Sequence, residues 1–248
     1  MGRKDQIGFS QRIQLSWLEK TANLVLSGQK QEDIQVHLQD LLQDQLSIGG
    51  TAQRGNREKA ITILMKIWVN VPEGFESMKR EGLELIRSLP YDEHIVVHWG
   101  MVMAVYPFWG SVAASVGRLL RLQGTVSAAQ TQRRVREQYG ERETVARAAR
   151  RILRTFIDWE VLEETGEKGV YQASQPLSIS TLRLIIWLLE TTLVTSGKSS
   201  GAFSDLLNNP VQFPFQILSQ GIQLHSERIE IVQHSLDEKL VLLRNINS

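Results

Sequence analysis

Apolar residues return every three or four positions along most of the first half of the chain, the spacing that lines one face of a helix. Ile13, Trp17, Leu18, Leu24 and Val25 predict a first helix over Phe9 to Leu26, stopped at Gly28. Gln31, Glu32 and Asp33 suit the amino terminus of a second, which stripes Ile34, Leu38, Leu41 and Leu42 before a loop at Gly49-Gly50. Asn56 to Val69 reads as a third, with Ile61, Leu64, Met65 and Trp68 on its inner face. Met78 to Leu89 reads as a fourth, ending before Pro90 because a residue preceding proline avoids the helical region. No strand signal interrupts these elements.

From Ile95 to Gly117 no Asp, Glu, Lys or Arg occurs, a length close to the ~20 residues that cross a bilayer. His98, Gly100, Ser111 and Ser115 lower its hydropathy, and Tyr106-Pro107 invites a break near its middle. Two buried helices meeting near Pro107 are therefore expected in place of a membrane span, the second running from Phe108 to Leu122.

Beyond Gly124 the pattern changes. Thr125-Val126 reads as a short connector, Ser127 as the cap of a helix running to about Tyr139, and Gly140 as a break. Glu141 to about Trp159 is a further helix. Val161-Leu162-Glu163 and Val170-Tyr171-Gln172 are strand-like pieces around the polar turn Thr165 to Gly169. Three helices followed by a β-hairpin is the order of a winged helix-turn-helix. Leu182 to Val194 is an apolar helix, and Ser196 to Ser200 a loop. Asp205 to Asn209 and Phe213 to Leu224 are expected to be helical, except that Gln212-Phe213-Pro214-Phe215 must be a turn or extended piece because of its proline, while Ile229 to Val232 and Leu240 to Leu243 fit strand or helix equally. The reading is a mainly α chain with a helical bundle over 1–106, a winged helix with a small β-hairpin over 107–175, and a helical extension over 176–248 that packs on the core.

Composition adds little until charge is placed along the chain. Of the 248 residues, 42% are hydrophobic and 22% charged, which excludes disorder as the dominant state. The chain has no cysteine, which excludes disulfides, thiolate catalysis and cysteine-bound zinc and fits a reducing compartment. Met1-Gly2-Arg3-Lys4-Asp5 opens no apolar signal segment, so a cytoplasmic location is expected. The formal net charge is only +1, yet residues 117–155 hold ten arginines, no lysine and three glutamates, a local excess of +7. One concentrated positive segment in a nearly neutral chain points to a polyanion.

That segment contains the helix Glu141–Trp159. At 100° per residue, Val145, Ala149, Ile152 and Phe156 fall within about 40° of one line. Arg147, Arg150, Arg151 and Arg154 span about 100° almost opposite. Guanidinium forks on one face suit phosphate oxygens and guanine edges. Arg133, Arg134 and Arg136 on the preceding helix, Arg142 at the start of the arginine helix, and Lys168 at the hairpin tip complete the candidate DNA-binding set. Pairing with Glu137, Glu141, Glu143 or the acidic tail on an ordinary solvated face is the plainer alternative.

Other chemistry is thin. His94 and His98 stand four apart without a third metal ligand, and read as core histidines. Gly197-Lys198-Ser199 copies the end of a phosphate loop, but Thr192 stands where its opening glycine belongs. His37, His225 and His234 are isolated, and no nucleophile elbow or paired carboxylates occur, so no enzyme, cofactor, metal or small-molecule substrate is expected. The six tryptophans, 17, 68, 99, 109, 159 and 187, read as core.

Four stretches carry a resemblance: LVLSGQKQEDI, DLLQDQLSIGGTAQRGNREKAITIL, HWGMVMAVYPFWGSVAASVGRLL and ERETVARAARRILRTFIDWEVLEE, which fall between about residues 10 and 165. In their order and pattern the chain resembles the BrxA family, small helical proteins of BREX phage-defence systems, although the part after Tyr171 is longer than that family implies. The resemblance implies a bundle similar to the NusB antitermination fold joined to a winged helix, binding to double-stranded DNA, and work beside other defence-system proteins. The function expected is a non-enzymatic DNA-binding adaptor. The alternatives are a scaffold whose arginine face meets an acidic protein, and an RNA-binding factor using the NusB-like bundle.

Overall fold

The computed structural model describes residues 7–46, 55–218, 227–234 and 238–244. The Gly49-Gly50 loop, residues 47–54 of the second resembling stretch, the end of the helix expected over Phe213–Leu224, and His225 lie outside the described residues. The first four helices follow the apolar spacing: α1 (Leu15–Leu26), α2 (Gln31–Leu41), α3 (Asn56–Trp68) and α4 (Glu76–Ser88). Gly28, at φ +74°, supplies the left-handed residue that follows α1.

The chain ahead of α1 departs from expectation. Phe9 and Ile13, four apart, mimic a helical stripe, but residues 7–14 form an arm outside any helix. Phe9, Gln11 and Ile13 are buried while Arg12 and Gln14 face out, the period of two of an extended chain. Tertiary contacts override the spacing. The Phe9 ring lies 5.4 Å from Tyr106 and 4.9 Å from Trp109. The Ile13 amide donates to Thr155 Oγ1 at 3.3 Å, and its carbonyl accepts from Trp159 Nε1 at 3.0 Å.

The uncharged stretch forms α5 (His94–Val105), reached through a 3₁₀ turn at Tyr91–Glu93, and α6 (Pro107–Gln123). They meet at Tyr106 with a bend of 117°, and no single helix among the described residues is long and apolar enough to cross a membrane. Pro107 occupies the first turn of α6, where its missing N–H leaves no hydrogen bond unmade. Every residue of α5 is buried. Helices α1, α3, α4 and α6 surround it, together with α9 (Leu182–Ser196) from the last third of the chain.

After α6 the order is β1 (Thr125–Ser127), α7 (Ala128–Tyr139), α8 (Glu143–Asp158), β2 (Leu162–Glu164) and β3 (Val170–Ala173). The expected connector at Thr125-Val126 is thus a strand. It pairs antiparallel with β3, and the sheet runs β1-β3-β2, so the hairpin is joined to the chain ahead of α7.

The segment 176–248 is not the helical extension expected. Its described residues hold α9 and the five-residue α10 (Phe203–Leu207), with five short strands among them. Of these, β4 (Leu177–Ile179) pairs in parallel with β6 (Phe215–Ile217), while β5 (Ser200–Ala202), β8 (Lys239–Leu243) and β7 (Ile229–Gln233) form a second sheet in that order. The helix expected from Phe213 is overturned as far as Leu218. Pro214 breaks it, and the neighbouring rings turn inward, Phe213 at 5.5 Å and Phe215 at 5.7 Å from Trp99. Ile229–Val232 and Leu240–Leu243, open on periodicity, are the strands of a hairpin.

All six tryptophans are buried, and one apolar core links described residues from Phe9 to Val241. Trp99 stacks on Phe156 at 5.0 Å and meets Trp109 and Trp159, so α5, α6 and α8 share a single aromatic centre.

Candidate nucleic-acid interface

Helix α7 starts with a capping box. The Gln130 amide donates to Ser127 Oγ, and the Ser127 amide donates to Gln130 Oε1, both at 3.1 Å. At its far end Tyr139 is fixed by a hydroxyl contact to Ser111 at 2.7 Å and an edge contact to Phe108, and Gly140, at φ +91°, turns the chain into α8. Four residues beyond the α7 terminus, Glu143 opens α8 and places an acid at the positive end of the helix.

The buried face of α8 is wider than Val145, Ala149, Ile152 and Phe156. Ala146, Ala148, Leu153 and Thr155 are buried as well, so about half the circumference is covered. The amino-terminal arm covers one margin, since Ile13 lies against Thr155 and Arg12 forms a bidentate ion pair with Asp158. The helix ends on Glu160, a non-glycine residue at φ +57°, with the Val161 amide donating to the Phe156 carbonyl at 3.0 Å.

What stays outside is basic. Arg147, Arg150 and Arg154 are exposed and Arg151 is half-buried. They differ in what they meet. Arg150 donates to Glu143 at 2.9 Å and Arg154 to Glu164 on β2 at 2.6 Å. Arg136 of α7 approaches Glu143 at 3.6 Å and Glu141 at 3.8 Å. Arg142 donates to the Tyr139 carbonyl at 3.1 Å. By contrast, no carboxylate among the described residues pairs with Arg133, Arg134, Arg147, Arg151 or Lys168. The Arg134 Nε is buried without an acceptor. Burial, with Arg147 and Arg150 close by, pulls the Arg151 guanidinium below its ordinary pKa.

The structure therefore gathers Arg136, Arg150 and Glu143 into one cluster and ties Arg154 to the hairpin through Glu164, a partner the sequence reading did not name. Lys168 is exposed on the turn between β2 and β3, beside Gly169 at φ +77°, whose carbonyl accepts from the Ala128 amide at 2.9 Å. That bond links the hairpin turn to the start of α7. Sequence reasoning missed Lys59 of α3, which reaches the same side of α8 as Arg147. No local pattern could mark Lys59, because its neighbourhood is made by packing between distant segments.

The histidines lie elsewhere. His98 is fully buried: its Nε2 donates to Glu19 at 2.9 Å while its Nδ1 accepts from Trp68 Nε1 at 3.2 Å. His94 sits between Glu19 at 3.1 Å and the Leu89 carbonyl at 3.0 Å. All four ring nitrogens are engaged, and among the described residues no group of three His, Cys, Asp or Glu could hold a metal ion. Gly197-Lys198-Ser199 ends α9, with Gly197 left-handed, whereas a phosphate loop would open a helix.

No protein-family model matches the chain, and neither a curated protein nor a solved structure matches it significantly.

Proposed function

We propose that this protein binds duplex DNA through α8, in a winged helix-turn-helix formed by α6, β1, α7, α8 and the β2–β3 hairpin, and that it does so as a non-enzymatic adaptor. The observation that carries the reading is the unequal pairing of the α8 cations. Arg147 and Arg151 project from a helix whose other half is locked into the core, and no carboxylate of the described chain neutralises them. A row of phosphates supplies what is missing. An α-helix with its side chains is about 10–12 Å across and enters a major groove about 12 Å wide. Arg133 and Arg134 on α7 then approach one strand, and Lys168 at the hairpin tip reaches the backbone beside the groove.

Arg136, Arg150 and Arg154 have partners to give up, so they contribute less to affinity than their number suggests. The resemblance to the BrxA family extends the reading to an accessory role beside larger phage-defence enzymes, with a NusB-like bundle carrying the winged helix.

Fluorescence-anisotropy titration with duplex DNA, single-stranded DNA and RNA of equal length tests the proposal. Preferential duplex binding supports it. A second reading is favoured by the carboxylates already on Arg136, Arg150 and Arg154: the arginine face meets an acidic protein. Absence of binding to all three nucleic acids near physiological salt would select that reading.

A further inference from the structure

A cavity of about 330 Å³ lies where the amino-terminal arm, α3 and α8 converge, bordered by Gly8, Ser10, Lys59, Thr144, Arg147 and Arg151. Three cations from two distant helices face it, and no carboxylate among the described residues lines it. Two hydroxyls, on Ser10 and Thr144, add neutral donors. Thr144 stands in the first turn of the sixteen-residue α8, one turn ahead of Arg147 and Ala148.

The arm is held in place. Phe9 is buried against Tyr106 and Trp109, and a Cβ at Gly8, φ +51°, would stand 3.0 Å from the Tyr106 ring. The wall therefore exists before any ligand arrives, and the donors need little reorganisation to close on one. Three like charges around one cavity repel, and an anion between them removes that cost. Guanidinium forks and an ammonium group at the rim of one cavity match the tetrahedral oxygens of phosphate.

We propose that this cavity is a phosphate subsite in which Lys59 of the helical bundle acts with Arg147 and Arg151 of α8, taking a backbone phosphate of the duplex and so extending the contact surface from the arginine helix onto the bundle. It rests on the nucleic-acid reading for the source of the phosphate, though the chemistry is the same for free phosphate. The test is Lys59→Ala in the full chain, beside Lys59→Arg and a control, Lys20→Ala, on the exposed side of α1. Duplex affinity is read by anisotropy over a salt series, and inorganic phosphate is added separately while thermal unfolding is followed.

The expected result is a loss of about five- to tenfold in duplex affinity for Lys59→Ala, with a salt slope shallower by about 0.9. Lys59→Arg and Lys20→Ala should stay near the parent. Unchanged affinity and slope in Lys59→Ala, with Arg147→Ala still impaired, would overturn the subsite and leave the nucleic-acid reading standing. A parent that ignores duplex but is stabilised by inorganic phosphate only when Lys59 is present would establish the subsite with a free phosphate source and overturn the nucleic-acid reading. No response to either ligand would overturn both.

Discussion

Helices α5 and α8 share the aromatic centre of this protein, yet they treat polar groups in opposite ways. Helix α5 is buried on every side, and its two histidines find their partners within the chain, in Glu19, Trp68 and the Leu89 carbonyl. Helix α8 is buried on about half its surface, and of the arginines on its remaining half Arg147 and Arg151 pair with no carboxylate among the described residues. A buried polar group must be satisfied internally, because water cannot reach it. Exposed cations can wait for a partner from outside. The contrast separates polar residues that hold the fold from polar residues that the fold leaves without an internal partner, although both sets are clusters of titratable groups on helices.

The comparison can be broken most directly in the core. Trp99→Ala empties a site touching Phe156, Trp109, Trp159, Phe213 and Phe215 and should cost about 3–5 kcal/mol, read by denaturant unfolding. A loss below about 1 kcal/mol would show that the aromatic centre does not hold the helices together.

Glu19→Gln should come next, at about 2–3 kcal/mol, since the carboxylate accepts from two buried histidines. Its pH signature has a definite sign. Burial raises the Glu19 pKa, but hydrogen bonds from His98 and Asn23 and the charge of the histidines outweigh it, leaving the group at about 2. Burial also lowers the His98 pKa, against the pull of Glu19. Both folded values lie below the unfolded ones, so the unfolded chain binds more protons and stability falls on acidification. The loss begins as pH falls through the ordinary histidine range and continues as pH drops from about 4.5 toward 2. Glu19→Gln should flatten the lower part of that curve of Tm against pH.

On α8 the effects move from stability to binding. Arg151→Glu should leave Tm nearly unchanged while lowering duplex affinity at least about tenfold, because it puts a negative charge between two arginines facing phosphate. Intact folding, checked by circular dichroism, with unaltered affinity would remove α8 from the interface. Arg154→Ala should have the smallest effect, under about 0.5 kcal/mol on stability and less on affinity than Arg147→Ala, since Arg154 already pairs with Glu164 on the surface. Equal losses in the two alanine variants would mean that internal pairing does not rank the arginines.

The arginine face of α8 was legible because a long helix with apolar residues on one side and a single sign of charge on the other needs no tertiary information to be read. The break at Pro107 was legible for the same reason, a local rule acting on one residue. The arm was not. The four-residue spacing of Phe9 and Ile13 satisfies a helix as well as two pockets, and only Tyr106, Trp109, Thr155 and Trp159, about a hundred or more residues away, decide between them. Strand β1 is three residues long, too short for a period, and exists because β3 pairs with it. The parallel pairing of β4 with β6 joins segments some forty residues apart and contradicts the helix that Phe213 to Leu218 suggested. Within the candidate site, the sequence named the arginines but could not rank them. Glu164 and Lys59 reach α8 only through the folded chain.

The central claim is that the unpaired cations beside and on α8 meet backbone phosphates of a duplex. The most direct test is the salt dependence of duplex affinity, measured for the parent and for Arg147→Ala/Arg151→Ala. With Arg133, Arg134, Arg147, Arg151 and Lys168 as the unpaired set and Lys59 beside them, a slope of about −5 in log affinity against log salt is predicted, shallower by about 2 in the double variant. A salt-independent affinity, or the same slope in both proteins, would contradict it.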